Sequence, residues 1–303
     1  MNSIHKFIKR DLPGWLIMLP TIALFIFYIF SPLVKNISLS FYEVIGGEKE
    51  KFVGLANYKE LIKSDLFLKA LGNTFEYTLW SIVIGFFVPI ILAIILNEVI
   101  HLKGFFRTVL YLPNVIPGIA VVIMWSYLFD PNPYGALNSL FGINSLWLND
   151  AHLVIPLIVV TMTWKGAGAT TLIYLAVLQS IDTVQYEAAR LEGANAFQRF
   201  KIVTLPHLLA QMKVLFILQI VSVFQVFYEP LVMTKGGGPN NESVSLVYLI
   251  YEYAFSKGEI GQSAALSVIV SLILFALSGL YFFLLREKKP RKIKVKKVVT
   301  TNE

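Results

Sequence analysis

Two groups of polar side chains lie inside long apolar runs of this sequence, where a charged residue needs a specific partner. Lys165 lies near the middle of the apolar run 153–178, directly after Trp164. A charge at the centre of a bilayer costs about 2.5–3.5 kcal/mol on insertion scales, so it normally faces a cavity or a partner. We therefore expect Lys165 to line a solute pathway or to pair within it, unless the run breaks at 166–168 and the lysine reaches an interface. Trp164 could stack on the apolar face of a sugar, although packing in the protein core is the commoner role of such a ring.

The second group lies near the end of the apolar run 208–232. Gln225, Tyr228 and Glu229 are spaced i, i+3 and i+4, which places them on one face of an α-helix. Their donors, acceptors and ring would suit a hydroxyl-rich ligand. They would equally suit an aromatic belt at a membrane interface, with Glu229 at the water boundary. The sequence alone leaves both interpretations open.

Motifs for catalysis and for nucleotide or metal binding are absent from the sequence. There is no G-x-x-x-x-G-K-[ST] phosphate loop, and the glycines at 236–238 precede Pro239 and Asn240 rather than a Lys-Ser pair. No H-E-x-x-H or G-x-S-x-G motif occurs, the four histidines are far apart, and there is no cysteine. We therefore predict that the chain is not an enzyme and holds no cofactor or metal. Any energy for moving a solute uphill must come from another chain.

Between two apolar runs lies the polar segment 182–206, which has the pattern of two helices joined by a bend. Asp182 is a candidate helix N-cap with Gln185 in capping-box position, and Asn195 with Gln198 forms a second cap signal. Gly193 interrupts the first of the two helices. Such a short amphipathic unit suits docking into the groove of a partner protein. A helix lying on lipid headgroups explains the periodicity equally well.

The composition indicates that lipid is the main solvent of this chain. Hydrophobic residues make up 56% of the sequence and charged residues 15%, whereas a soluble domain carries about 25% charged residues. The net charge is +7, but eight of the 26 lysines and arginines follow residue 285. A basic tail of this kind is suited to an anionic membrane surface. We therefore predict contact with membrane lipid and none with nucleic acid.

Six apolar runs are long enough to cross about 30 Å of hydrocarbon. They predict an all-α membrane protein with six transmembrane helices. The predicted spans are residues 15–34, 77–96, 109–129, 153–178, 208–232 and 264–285. These spans leave an N-terminal segment 1–14, a long loop 35–76, a five-helix core 77–285 that contains the polar segment, and a basic tail 286–303.

The distribution of positive charge predicts the orientation of these spans. Lysines and arginines number 16 on the side that carries both termini and 8 on the opposite side. Because positive residues favour the cytoplasmic side of a membrane, both termini are predicted to be cytoplasmic. The polar segment then faces the cytoplasm, and the loop 35–76 is extracytoplasmic.

The polar segment resembles the EAA loop of the membrane permease subunits of bacterial ABC importers. Glu187, Ala188 and Ala189 match the start of that loop, Gly193 follows six residues after the glutamate, and Leu205-Pro206 matches its end. Three other segments resemble stretches of carbohydrate-importer permeases, namely 52–58 (F-V-G-L-A-N-Y), 132–138 (N-P-Y-G-A-L-N) and 234–239 (T-K-G-G-G-P). The likeness is greatest to the maltose-type and glycerol-phosphate-type permeases. The sequence lacks the extra domain and the additional N-terminal spans of the maltose type.

This resemblance implies a type I ABC importer permease fold in the bacterial plasma (inner) membrane. It implies a heterodimer with a second related permease, two copies of a cytoplasmic ABC ATPase that bind ATP and Mg, and an extracytoplasmic sugar-binding protein. The function implied is uptake of a sugar, such as an oligosaccharide. The alternative, an ion-coupled secondary transporter of a polar solute, would need buried acidic or histidine relays, and the apolar runs offer few.

The resemblance also implies that the polar segment couples the permease to the ATPase. The residues expected to take part are Glu187, Ala188, Ala189, Arg190, Glu192, Gly193 and Phe197. The residues expected along the substrate pathway are Trp164, Lys165, Gln225, Tyr228 and Glu229.

Overall fold

A computed structural model describes residues 12–45, 48–99 and 101–285 of the chain. Most of the predicted cytoplasmic N-terminus and the whole basic tail 286–303 lie outside the described residues. Within them, four helices are long and apolar enough to cross a membrane. The number of spans rises to six if each of two bent helix pairs counts as one, which agrees with the predicted number.

The chain folds into helices, with one short hairpin near the start. The hairpin pairs β1 (Tyr42–Ile45) with β2 (Glu48–Phe52) in antiparallel fashion. It lies in the predicted loop 35–76 and is an exception to the all-α prediction, because strands of four or five residues are too short to give a clear alternating pattern. The helices are α1 Leu12–Leu39, α2 Ala56–Lys63, α3 Asp65–Glu98, α4 Lys103–Val115, α5 Gly118–Leu128, α6 Ala136–Phe141, α7 Val154–Gln179, α8 Thr183–Leu191, α9 Ala196–Val232 (interrupted at 224–227), α10 Leu246–Tyr251 and α11 Ile260–Leu284.

The predicted span 109–129 corresponds to two helices rather than one. Helices α4 and α5 meet at an angle of 95°. Ile116, between them, has an extended backbone with ψ 134°. The next residue is Pro117, and a proline disfavours the helical conformation in the residue before it. The bend therefore follows from the local sequence.

Helix α7 lies at the centre of the bundle and packs against α3, α4 and α9. Gly168 lets the backbones of α7 and α4 touch, since a Cβ atom at this position would lie 1.8 Å from the carbonyl oxygen of Leu110. Such a distance is impossible, so any larger residue would push the two helices apart. Gly166 lies on another face of α7. A Cβ atom at this position would have no neighbour within 4 Å outside its own helix.

We expect Gly168→Ala to destabilise the protein and Gly166→Ala not to. Overpacking of a tight contact costs about 1–3 kcal/mol, whereas replacing a helical glycine by alanine in open space stabilises by about 0.5–1 kcal/mol. The measurement is the thermal unfolding midpoint of each variant, purified with its partner subunits. A lower midpoint for Gly166→Ala than for Gly168→Ala would contradict the packing described here.

Buried apolar side chains in the described part of the chain form three clusters along the bundle. One lies at the end that carries α2 and α10 and includes Leu61 and Leu249. A second joins α3, α5 and α7 and includes Ile158. The third lies at the opposite end, next to the polar segment, and includes Tyr174 and Ala189. The polar segment therefore packs directly against the third cluster through Ala189.

Helix α1 is different from the other long helices because it covers almost none of the core. No residue in its most apolar stretch is buried, and its contacts with α11 come from the last part, Ser31–Leu39. Its side chains from Trp15 to Phe30 are almost all exposed. In a membrane, this surface faces lipid or another membrane protein.

Candidate functional site

Two caps and a glycine turn fix the shape of the polar segment. The Asp182 side chain accepts a hydrogen bond from the backbone of Val184 and begins α8. Asn195 and Gln198 form a reciprocal capping box at the start of α9, with hydrogen bonds of 2.8 and 2.9 Å. These two predicted caps are present. The capping box predicted at Asp182 is not, since the bond goes to Val184.

The end of α8 has the hydrogen bonds of a Schellman motif. Gly193 N–H donates to the carbonyl of Arg190 at 2.9 Å, and Ala194 N–H donates to that of Ala189 at 3.0 Å. Gly193 has φ +82°, a left-handed conformation that glycine adopts without steric cost. The predicted bend therefore lies at Gly193.

Side-chain bonds tie the two arms of the polar segment to each other. The hydroxyls of Tyr186 in α8 and Thr204 in α9 lie 2.9 Å apart, and the Arg199 guanidinium donates to the carbonyl of Ala194 at 2.8 Å. No break separates the start of α9 from its apolar part, because a π-helical turn, Phe200–Thr204, joins them. The predicted span 208–232 is thus not a separate helix after the polar segment but part of α9. A force on the polar segment would be transmitted directly into α7 and α9.

The polar segment presents apolar side chains to its surroundings as well as polar ones. Leu191 is 91% exposed and Phe197 is 73% exposed. Exposed apolar residues clustered among polar ones are typical of protein interaction surfaces. A groove of about 580 Å³ runs beside them between α8, α9 and the end of α3. Its polar lining includes Glu98, Glu187, Arg190 and Arg199.

The structure separates the predicted coupling residues into two groups. Ala189 is buried in the third cluster against the chain's own helices, so it positions α8 and is not available to a partner. The others are exposed, and they are Glu187, Ala188, Arg190, Glu192, Gly193 and Phe197. In the described residues Glu187 and Arg190 do not form the ion pair that their spacing allows. Leu191 was not among the predicted coupling residues, although its place on the apolar face of α8 was a usable signal.

The predicted pathway residues of α7 face α5 and the end of α9. Lys165 lies against Gly118 at the start of α5, and its charge interacts with that of Glu229. Trp164 is 38% exposed and packs edge-on against Trp125, with 5.8 Å between the ring centroids. The structure therefore places Lys165 and Glu229, which are 64 residues apart in sequence, within electrostatic reach of each other, although no ion pair joins them in the described residues.

The predicted helical face of Gln225, Tyr228 and Glu229 is wrong in one respect. Regular helix ends at Val223 and resumes at Tyr228, so Gln225 lies in an unwound turn. Phe227, with φ −142°, breaks the helical hydrogen bonding between the two parts. Helices interrupted at membrane depth occur where the backbone is buried in protein or lines a cavity. Gln225 and Tyr228 are exposed and Glu229 is half-buried.

A polar cavity of about 200 Å³ lies between α3, α7 and α9 and was not predicted as a site. Gln219 of α9 donates a hydrogen bond to Ser81 of α3, and Gly85 leaves room beside them. Ser81 and Gly85 belong to a π-helical turn, Ser81–Phe86, a feature frequent at functional sites. The other polar side chains that line the cavity are Thr163, Thr170 and Ser222. Thr163 and Thr170, seven residues apart on α7, were a detectable signal.

Side chains of the three other motif segments, 52–58, 132–138 and 234–239, form hydrogen bonds that hold their loops together. Asn57 donates hydrogen bonds to the carbonyls of Ser40 and Tyr42, at 2.9 and 3.0 Å. Asn138 is 1% exposed and accepts a 2.7 Å hydrogen bond from the Trp147 ring nitrogen. Thr234 shares a 2.8 Å hydrogen bond with Ser243. These side chains stabilise the end of the bundle away from the polar segment.

Comparisons with known proteins give a consistent result. Residues 85–290 match the family described as "Binding-protein-dependent transport system inner membrane component". The chain is 33% identical over 273 residues to "Probable ABC transporter permease protein YurN" of Bacillus subtilis (strain 168), covering 87% of this chain and 92% of that protein. It is 32% identical over 288 residues to "Lactose transport system permease protein LacF" of Rhizobium radiobacter, covering 92% and 96%. It is 29% identical over 277 residues to "Arabinooligosaccharides transport system permease protein AraP" of Bacillus subtilis (strain 168), covering 90% and 88%.

The fold has a counterpart among solved structures. A chain of a bacterial ABC transporter "involved in the import of the acidic polysaccharide alginate" superposes with a TM-score of 0.82 at 23% identity, covering 93% of this chain and 98% of that one. This likeness confirms the predicted type I importer permease fold. No group of three histidine or acidic residues that could hold a metal ion occurs in the described ranges.

Proposed function

The chain belongs to the family of inner membrane components of binding-protein-dependent transport systems, and from this premise we propose that it forms half of the translocation pathway of a sugar-importing ABC transporter. Relatives that are similar over most of their length are named as permeases for lactose and for arabinooligosaccharides. The same membership makes the ion-coupled alternative the weaker interpretation.

The observation that carries the coupling role is the rigid polar segment with exposed Leu191 and Phe197. A segment that transmits movement from a partner protein needs a fixed shape and a surface to which the partner binds. Both caps, the turn at Gly193 and the Tyr186–Thr204 bond supply the shape. The exposed apolar side chains beside a charged groove supply the surface. The partner is an ATPase that binds ATP and Mg and hydrolyses ATP, since this sequence has no phosphate loop.

Further partners are a second, related permease subunit and an extracytoplasmic sugar-binding protein. Support for the second permease comes from α1, whose long apolar surface is not covered by the described part of this chain. Support for the binding protein comes from the family description. A solved transporter of the same fold is described in complex with a "periplasmic protein" bound to an alginate pentasaccharide. Two ATPase copies, one for each permease, complete the assembly.

Within the membrane, the substrate would meet two polar groups of this chain. Lys165 and Glu229 supply opposite charges near the unwound turn of α9. The hydroxyls and amide of the cavity at Ser81 and Gln219 offer hydrogen bonds without net charge. Such uncharged donors and acceptors suit the hydroxyls of a sugar.

The test is reconstitution of the chain with its permease partner, ATPase and binding protein in liposomes. We expect uptake of lactose, arabinotriose or maltotriose that requires ATP and the binding protein, and none by this chain alone. ATP-independent uptake by the chain alone would contradict the proposal and favour an ion-coupled transporter.

A further inference from the structure

Two of the motif-bearing loops meet in a cleft that the proposed pathway does not use. This outer cleft has a volume of about 420 Å³ and lies at the end of the bundle opposite to the polar segment. One wall follows the end of α5 into the loop at 130–131, and the other is the loop at 232–239. The polar side chains that line it are Ser126, Tyr127, Asp130, Asn149, Thr234 and Lys235. It shares no lining residue with the cavity at Ser81 and Gln219.

The outer cleft contains opposite charges that do not neutralise each other. One carboxylate oxygen of Asp130 accepts a 2.8 Å hydrogen bond from the backbone of Asn132, which leaves the other oxygen for a ligand. Lys235 is exposed. Over the described residues no ion pair joins Asp130 to Lys235. The cleft therefore offers a strong acceptor and a strong donor in its lining.

The backbone that carries Lys235 is held in a fixed, uncommon conformation. Lys235 has φ +49°, a left-handed region that is rare for residues other than glycine, asparagine and aspartate. The next two N–H groups, of Gly236 and Gly237, both donate to the carbonyl of Pro230, at 3.1 and 3.2 Å. Conformations of this kind persist where the surrounding structure determines them, and they concentrate at ligand sites. The position of Lys235 is therefore set by the loop.

The remaining surface of the outer cleft is apolar or aromatic. Tyr127 is 69% exposed at the rim, while Leu148 and Met233 are each 5% exposed in the cleft wall. A sugar ring has hydroxyls at its edge and an apolar C–H face. An exposed ring for the face, with a carboxylate and an ammonium for the hydroxyls, matches both parts.

We propose that the outer cleft is a second carbohydrate subsite, which holds a sugar unit outside the membrane-embedded pathway. Asp130 accepts hydrogen bonds from hydroxyls, Lys235 donates to them, and Tyr127 stacks on the ring. Because the two charges are opposite, the cleft favours a neutral saccharide over an acidic one. This inference rests on the proposed sugar-uptake function.

The absence of cysteine from the chain makes a direct test possible. A single Asn149→Cys substitution places a reporter in the outer cleft without altering the three residues proposed to bind. A matched Lys59→Cys substitution places one at an exposed position of α2, away from the cleft. The rate of maleimide modification of each is measured in the assembled transporter, without binding protein, with and without excess lactose, arabinotriose or maltotriose.

We expect at least one of these sugars to slow modification of Asn149→Cys by about threefold or more when present at several times its Kd, and none to affect Lys59→Cys. Adding Asp130→Asn and Lys235→Asn should remove the protection. The first of these two substitutions keeps an oxygen acceptor for the Asn132 backbone. The second is compatible with the loop, because asparagine tolerates the left-handed conformation at position 235.

Three results would overturn the subsite. If transporters that carry out ATP-dependent sugar uptake show equal modification with and without sugar, the subsite is wrong and the proposed function stands. If only addition of the binding protein gives protection, whether or not it carries sugar, the cleft is a protein contact. If no sugar is taken up by the complete transporter, the subsite fails together with the function.

Discussion

Replacing Leu191 with aspartate is expected to abolish coupled uptake while leaving the chain folded and inserted in the membrane. Leu191 is 91% exposed, so the chain itself gains little from its side chain. Burying a leucine in an interface contributes about 1.5–3 kcal/mol, and a carboxylate in its place adds a desolvation cost. Because about 1.4 kcal/mol is a tenfold change in affinity, the ATPase should bind at least about tenfold more weakly.

The measurement is ATP-dependent uptake together with retention of the ATPase during purification. Leu55→Asp is the matched control, because Leu55 is 57% exposed at the start of α2, at the opposite end of the bundle. Both variants should be present in the membrane at the level of the unmodified chain. Normal uptake by Leu191→Asp would show that the exposed end of α8 does not contact the ATPase.

Exchanging the charges of Lys165 and Glu229 is expected to restore a function that either single reversal destroys. Lys165→Glu leaves two carboxylates within electrostatic reach of each other at membrane depth, and Glu229→Lys leaves two ammonium groups. An unpaired charge at this depth costs about 2.5–3.5 kcal/mol, so each single variant should lose at least about tenfold in uptake rate. The double variant restores opposite charges and should come within about threefold of the original rate.

The comparison is made on initial uptake rates divided by the amount of each variant in the membrane. Gln225→Ala serves as a reference, since it removes a polar side chain next to the same turn without changing charge. Equal losses in the two single variants and the double variant would show that the two residues act separately. Full activity in all three would remove both residues from the pathway.

The sequence alone was sufficient to predict features that depend on residues close together in the chain. Asp182, Gly193 and the pair Asn195 and Gln198 determine their caps and turn through bonds within six residues of chain. Six apolar runs likewise indicate spans because hydrocarbon thickness sets their length. For these reasons the bent, capped shape of the polar segment could be predicted from the sequence.

Features that depend on distant residues could not be predicted in this way. Ser81 and Gln219 are 138 residues apart in sequence and meet only when α3 packs on α9. Ala189 looks like its neighbour Ala188 in the sequence, and only the position of the core shows that Ala189 is the buried one. The unwound turn at Gln225 lies in an apolar run that reads as continuous helix. Tertiary packing decides each of these outcomes.

We propose that a cytoplasmic ATPase drives this permease through the polar segment. The most direct test places a single cysteine at Glu192, which is exposed at the end of α8, and adds a membrane-impermeant maleimide to intact cells and to inside-out vesicles. We expect modification in inside-out vesicles only, and protection of the cysteine when the ATPase is bound. Modification of this cysteine from the outside of intact cells would contradict coupling through the polar segment.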